Sequence, residues 1–409
     1  MVMAKAKTVA QAQNLCCFMV LYPLAGPSLP VYLYYSKLTG GKQSYRMSWL
    51  FLHFSRLPCI MNCILKNYRR KSVMHHPLLH QPIQLGSLTL KNRLVLPPMA
   101  TEKSDKGQVT QALVDYYGDM ARSGPALIIQ EHCFVSPEGR ASVHQIAFDE
   151  TADLAGLKQL TSAVHEHRVP ILAQLSHAGS AAHQAMTGLE PIGPSAVLNP
   201  ARTASAYGQP EQPRPMTEED IRRVRDAFAA AALRAREAGY DGVEIHAAHG
   251  YLLNQFYSPL TNRRTDAYTG STLEGRTRFL VEVIQAVRSS LPRDFVVTLR
   301  LGGGDYMEGG SRPEELPQAV EYLQQAGLDG ISLSGGLCIF FRPGHPEAGY
   351  FAELSRAAKE TARIPVLLTG GITTGEQAEQ FLATGQADLI GLGRAALKDH
   401  QVFRKILGE

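Results

Sequence analysis

His246, His249 and Tyr251 fall within six consecutive residues at the end of the apolar run 242–249. An H-x-x-H pair invites a metal reading, but the zinc-protease pattern requires H-E-x-x-H on a helix, with imidazoles four residues apart, and a further clustered ligand. Neither the spacing nor the extra ligand is there, so no metal is assigned. Two imidazoles at the open end of a strand can instead donate N–H groups to one oxygen of a bound substrate, polarising a carbonyl and stabilising the enolate that forms. The Tyr251 phenol can deliver a proton from the opposite side. Arg300 closes the run Val-Val-Thr-Leu-Arg at 296–300; a guanidinium ending an apolar strand is costly without an anionic partner. Schiff-base or carboxylate-driven barrels are disfavoured, because no Lys ends such a run and the carboxylates within them, Glu131, Glu244 and Asp388, do not end one either. Glu244 shares a strand face with His246 by alternation.

These residues need a frame that brings strand ends together. Short apolar runs recur at 93–99, 126–135, 171–177, 242–249, 296–301, 330–334, 364–369 and 387–393, and segments of helical period separate them. At 217–239 Thr217 can cap a helix, Ile221, Val224, Phe228, Ala231 and Ala232 form its apolar stripe, and Gly239 ends it. A second helix is expected at 313–327, with Leu316, Ala319, Val320 and Leu323 on one face. Eight strand–helix units with near-continuously apolar strands point to an α/β fold, a (β/α)8 TIM barrel, with a doubly wound open sheet as the alternative. The open sheet would carry its G-x-G-x-x-G turn after the first strand, where this chain has Pro97-Pro98-Met99-Ala100-Thr101. Polar residues gather instead at strand ends, namely Gln174, His177, His246, His249, Arg300 and Arg394, as on the active face of a barrel.

The stretch DGVEIHAAHGYLLNQFYSPLTNRRTDAYTGSTLEGRTRF at 241–279, with NRLVLPPM, AQLSHAGS and LLTGGI…ADLIGLGR in order around it, resembles the old yellow enzyme family of FMN-dependent ene-reductases, also called NADH:flavin oxidoreductases. The resemblance covers residues 77–409 and is to the single-barrel form, without iron–sulfur or FAD modules. It implies FMN as cofactor, NADH or NADPH as reductant, and hydride delivery to the β-carbon of an activated alkene. His246 and His249 would grip the substrate carbonyl and Tyr251 would protonate the α-carbon. Arg300 matches the cation beside the flavin N1/O2 edge, Gln174 the amide that reads the pyrimidine edge, and Pro98, Met99, Ala100 and His132 the segments lying against the ring. Gly370, Gly371, Gly393 and Arg394 match the phosphate site after the last two strands. Tyr306, Phe340, Phe341 and Tyr350 are further candidates to face the substrate. Ala100 stands where well-known branches carry Cys or Thr, so side-chain tuning of the flavin at that point is absent. His177-Ala178-Gly179-Ser180 lacks the arginine of the common H-A-G-R, and Tyr268-Thr269-Gly270-Ser271 departs from Y-G-G-S. Quinones, nitro compounds or xenobiotics stay open as other redox substrates, as does a phosphate-ligand-binding barrel without chemistry.

Charge is uneven along the chain. Residues 1–73 hold ten Lys/Arg and no acid, leaving 31 basic against 37 acidic residues beyond them. That balance disfavours nucleic acid as a partner. The first 73 residues also hold the only tryptophan and four of the six cysteines. Their apolar stretches at 15–25 and 49–65 are interrupted well short of the ~20 residues of a membrane span, so no stable membrane association is expected. They are read as an atypical extension, disordered or an artefactual upstream translation with the functional start at Met74; a targeting segment and a membrane-contacting arm are the other readings. Residues 74–409 are the expected FMN barrel, cytoplasmic, acting on a small electrophilic alkene, with homo-oligomer formation open. Cys133 and Cys338 read as buried small hydrophobes.

Overall fold

In the computed structural model, residues 76–408 are described apart from residue 204. Before them only the backbone of three strands is described, Leu15–Val20, Val31–Thr39 and Lys42–Leu50, paired antiparallel in chain order. The chain divides into the units Met1–His75 and His76–Glu409. The reading of residues 1–73 as foreign to the barrel falls largely outside the described residues.

The second unit is the expected barrel. Its strands are β1 (Leu94–Leu96), β2 (Leu127–Phe134), β3 (Ile171–Ser176), β4 (Gly242–Ala247), β5 (Val296–Gly304), β6 (Gly330–Gly335), β7 (Val366–Leu368) and β8 (Leu389–Gly391). Neighbours pair in parallel, and the ring closes where Ile390 faces Leu94 and Val95 faces Leu127. All eight predicted runs contain a strand, but β1, β7 and β8 are shorter than their runs. Pro97 and Pro98 have no N–H to continue β1. After β7 the chain turns through Gly370 and Gly371, whose φ values of 125° and 69° only glycine adopts cheaply.

Helices α1 (Gln111–Arg122), α2 (Leu154–His165), α3 (Glu218–Glu237), α4 (Leu273–Ser290), α5 (Leu316–Gln325), α6 (Ala352–Lys359), α7 (Gly375–Ala383) and α8 (Arg394–Lys398) follow the strands in order. In α3 the Thr217 hydroxyl accepts from the Asp220 N–H and the Asp220 carboxylate accepts from the Thr217 N–H, a complete capping box. Its buried stripe is the one read from spacing, with Ala235 added. The helix expected at 313–327 instead opens as a 3-10 turn, Pro313–Glu315, before α5.

A hairpin of Ile83–Leu85 and Leu88–Leu90 stoppers the N-terminal end of the barrel. Leu85 and Leu90 pack among Val95, Leu127, Leu172, Val296, Leu367 and Leu389, one from each of six barrel strands. The closure is tight: a Cβ added to Gly330 would stand 2.6 Å from Leu85 Cδ1. Among the described residues this end is filled with side chains, and the cavity opens at the other, C-terminal end.

The buried core of this unit is drawn from residues 79–407. Residues 74–409 expressed alone should unfold in one cooperative thermal transition at the midpoint of the full chain. A lost or strongly lowered transition would show that the first 73 residues complete the core.

Candidate active site

Where the strands end, a cavity of about 540 Å³ opens, of a size that suits a cofactor or small ligand. It is lined by Pro98, Met99 and Ala100 after β1, His132 on β2, Gln174 on β3, His246, His249 and Tyr251 at β4, and Arg300 on β5. Phe340 and Tyr350 enter from the loop after β6, Gly370 and Gly371 follow β7, and Gly393 and Arg394 follow β8. Every residue assigned to catalysis or cofactor binding from the sequence thus meets here.

A polar layer lies beneath the opening. Parallel register sets Glu244 beside Gln174, His246 beside Arg300, and Arg300 beside Ser332. Gln174 Nε2 donates to Glu244 Oε1 at 2.8 Å and Ser332 Oγ donates to Glu244 Oε2 at 2.5 Å. Burial pushes the Glu244 carboxyl up against the pull of Arg300, and burial lowers Arg300 against the pull of Glu244. Arg300 Nη2 donates to Ser334 Oγ at 3.2 Å, and its buried Nε has no partner. The Gln174 amide keeps its oxygen and its second N–H available to the cavity.

The chain reverses sharply after β4. His249 and Gly250 both take left-handed backbone, with φ of 61° and 69°; for a non-glycine this conformation is uncommon and concentrates at functional sites. The His249 N–H donates to the Gly335 carbonyl at 3.2 Å, and the Gly250 N–H to Asn254 Oδ1 at 2.8 Å, which hold the reversal. It brings the His249 ring to 5.0 Å from that of His246, edge to face, with the Tyr251 ring 5.1 Å from His246. His249 Nε2 lies 2.8 Å from Ser334 Oγ, which also accepts from Arg300. The buried Ser334 hydroxyl has no other described acceptor, so its proton is directed to His249 Nε2, leaving Nδ1 as the N–H. His246 Nδ1 is buried without a partner. Burial and then the charge of neighbouring groups hold both rings well below the usual imidazole range; for His246 the first neighbour is His249, for His249 it is Arg300.

The late-strand glycines form a cradle. A Cβ on Gly370 or Gly371 would press on the Tyr350 ring at 3.1 and 3.0 Å, and one on Gly393 would meet Met99 Sδ at 2.6 Å. The N–H groups of Gly371 and Gly393 donate to no protein acceptor among the described residues. Arg394 Nη2 donates to Tyr350 Oη at 2.9 Å, and Lys398 also lines the cavity. Free amides and two cations suit a phosphate, a fully buried guanidinium with an orphaned Nε suits an electron-rich ring edge, and the Gln174 amide suits a pyrimidine. The residues present fit FMN.

The four aromatic candidates separate. Phe340 lines the cavity, whereas Tyr350 stands over the glycine cradle, its hydroxyl donating to the Phe340 carbonyl at 2.8 Å. Tyr306 is not a lining residue: its φ of 51° turns the ring back onto Phe351, 6.3 Å away, beneath the Arg342 guanidinium at 4.5 Å. Phe341 is 47% exposed and touches only the edge of Phe340. Sequence reading missed Arg202, which reaches the cavity from the long loop after β3, where no periodicity marks any residue. Cys133 and Cys338 are buried and free, as expected.

Burial holds His132, His246 and His249 neutral in the folded state, with His132 brought down to about 4. Unfolded, each would take up a proton near 6.5. The unfolded chain therefore binds more protons, and stability should fall as pH drops below about 6.5, by about 1.4 kcal/mol per pH unit for each ring. Urea titrations between pH 6.5 and 5 should give a clearly shallower slope for His246→Leu/His249→Leu; an unchanged slope would show that these rings are charged in the folded protein.

Residues 78–408 match the sequence model of the NADH:flavin oxidoreductase / NADH oxidase family. An NADH oxidase of Thermoanaerobacter brockii is 37% identical over 338 residues, 81% of this chain and 51% of that protein, so the chain spans about half the length of this relative. An NADPH dehydrogenase of Halalkalibacterium halodurans is 36% identical over 329 residues, 80% of this chain and 92% of the relative. The solved old yellow enzyme homologue from Zymomonas mobilis superposes with a TM-score of 0.72 at 27% identity, covering 81% of this chain and 93% of its own. The chain belongs to the old yellow enzyme family of NADH:flavin oxidoreductases, and FMN is the cofactor that its barrel mouth is built to hold.

Proposed function

We propose that this protein uses NADH or NADPH to reduce the activated C=C bond of an α,β-unsaturated carbonyl compound. The observation that carries the reading is the pair of buried, neutral imidazoles at one wall of the cavity, with Tyr251 beside them and Arg300 below. FMN, when bound, supplies the hydride chemistry. His246 and His249 donate to the substrate carbonyl oxygen and stabilise the negative charge that develops on it, which neutral N–H donors in a desolvated site do without losing a proton. Tyr251 donates its phenolic proton to the α-carbon. Arg300 balances negative charge on the cofactor ring, Gln174 pairs with its pyrimidine edge, and Gly371, Gly393 and Arg394 hold its phosphate.

Rapid mixing of the FMN-loaded, photoreduced protein with cyclohexenone tests these roles. His246→Leu/His249→Leu should keep near-normal flavin content and lose on the order of 10²-fold or more in flavin reoxidation rate. Tyr251→Phe should still oxidise its flavin with a nitroalkene while enone turnover falls, since it removes a proton and leaves the grip. Reoxidation of the double variant by cyclohexenone at the parent rate would contradict the assignment.

A further inference from the structure

Among the described lining residues there is no Asp or Glu, yet four cations face the cavity, Arg202, Arg300, Arg394 and Lys398. None of the four forms an ion pair with a described carboxylate; Glu244 lies beneath Arg300 without a hydrogen bond to it. FMN accounts for three, Arg394 and Lys398 at the phosphate cradle and Arg300 at the ring. Arg202 is left over, at the His249–Tyr251 wall.

Its setting is that of a fixed binding group. Arg202 Nη2 donates to the His249 carbonyl at 2.9 Å, and the guanidinium lies 4.7 Å from the centroid of the Tyr251 ring. Its Nε is buried without a partner. The cation is thereby held in one orientation with donor capacity to spare, in a place where leaving it unpaired is costly.

A second donor packs on the same tyrosine ring. The Ala141 N–H donates to Gln145 Oε1 at 2.6 Å, which fixes the amide so that Nε2 donates to His132 Nδ1 at 2.9 Å. His132 must then carry its proton on Nε2. Its ring stacks on Tyr251 at 5.4 Å and 26°, and Nε2 has no described partner. Arg202 and His132 thus both pack on the Tyr251 ring, and Arg202 Nε and His132 Nε2 find no acceptor among the described residues.

We propose that the substrate carries a carboxylate or comparable anionic group close to its activated alkene, and that Arg202 and His132 recognise it. The inference rests on the ene-reduction proposed above, and it names a class of substrate within it. Such a substrate brings the anionic oxygens that this wall lacks. A neutral enone would leave the half-buried guanidinium without an anionic partner and its buried Nε unsatisfied, so the site discriminates by that cost as well as by the bond formed.

The test compares 4-oxopent-2-enoate with its methyl ester as oxidants of the reduced, FMN-loaded full chain. It also compares p-hydroxybenzoate with its methyl ester as ligands, read by the shift they cause in flavin absorbance. Arg202→Met should lower the acid-to-ester ratio in both assays, on the order of 10-fold or more, while the ester values stay within a few-fold of the parent. Arg202→Lys should recover part of the ratio. His132→Phe keeps the stacked ring and loses the N–H, and should lower the same ratio more modestly. An equal fall for acid and ester in Arg202→Met would mean that Arg202 only pins the His249 carbonyl, and would overturn the proposal. So would slower reduction by NADPH with the ratio unchanged, which would assign Arg202 to the reductant's phosphates. If neither the acid, the ester nor cyclohexenone reoxidises the flavin, the ene-reductase reading fails, and the phenol pair still decides whether this wall binds an anion.

Discussion

A guanidinium stands midway along β5 inside a closed apolar barrel, and much of the site follows from accommodating it. Arg300 has Glu244 beneath it and Ser334 as its one hydrogen-bond partner. Glu244 can remain buried because Gln174 and Ser332 both donate to it, and in doing so it turns the Gln174 amide so that an oxygen and an N–H face the cavity. Ser334 accepts from Arg300 and, with no other described acceptor within reach, turns its own proton toward His249. One buried charge is therefore linked through hydrogen bonds both to the Gln174 amide on β3 and to the His249 ring after β4. Removing one member of such a network leaves the others desolvated and unpaired, so its members act as a unit.

The same charge distribution determines what the cavity can do. With cations on several sides and no carboxylate among its described lining residues, protonation of His132, His246 or His249 is opposed by burial first and by neighbouring charge second. The imidazoles remain N–H donors that do not become imidazolium at neutral pH, which suits polarising a carbonyl and suits proton abstraction poorly. In the proposed reaction the general acid is then Tyr251, whose ring contacts His132, His246 and Arg202. Among the described residues, Leu85 and Leu90 fill the N-terminal end of the barrel, and the cavity opens at the C-terminal mouth.

Much of this was legible in the residues because strand and helix periodicities differ and each apolar run met a separate tight or polar end. The Thr217–Asp220 cap and the α3 stripe were local signals that tertiary packing did not override. His246, His249, Tyr251 and Arg300 could be singled out because polar side chains closing apolar runs are expensive without a purpose. Their functional roles came from a family resemblance, and spacing alone would have left them open. The loops were less legible. Tyr306 and Phe341 face away from the cavity because a positive φ at one and an exposed turn at the other decide side-chain direction. Arg202 belongs to a long connection with no period, and only the fold shows that it reaches Tyr251. The Gln145 contact that selects the His132 tautomer depends equally on a loop returning beside β2.

The central claim is that the barrel mouth holds His246 and His249 as neutral hydrogen-bond donors. The most direct measurement is ¹⁵N NMR of the two imidazole rings in the FMN-loaded protein, assigned with single-histidine variants and followed from pH 8 down to about 5.5. The account predicts that both rings keep the nitrogen shifts of a neutral tautomer throughout, with His249 protonated on Nδ1. Titration of either ring to imidazolium near the ordinary histidine value of about 6.5 would contradict it.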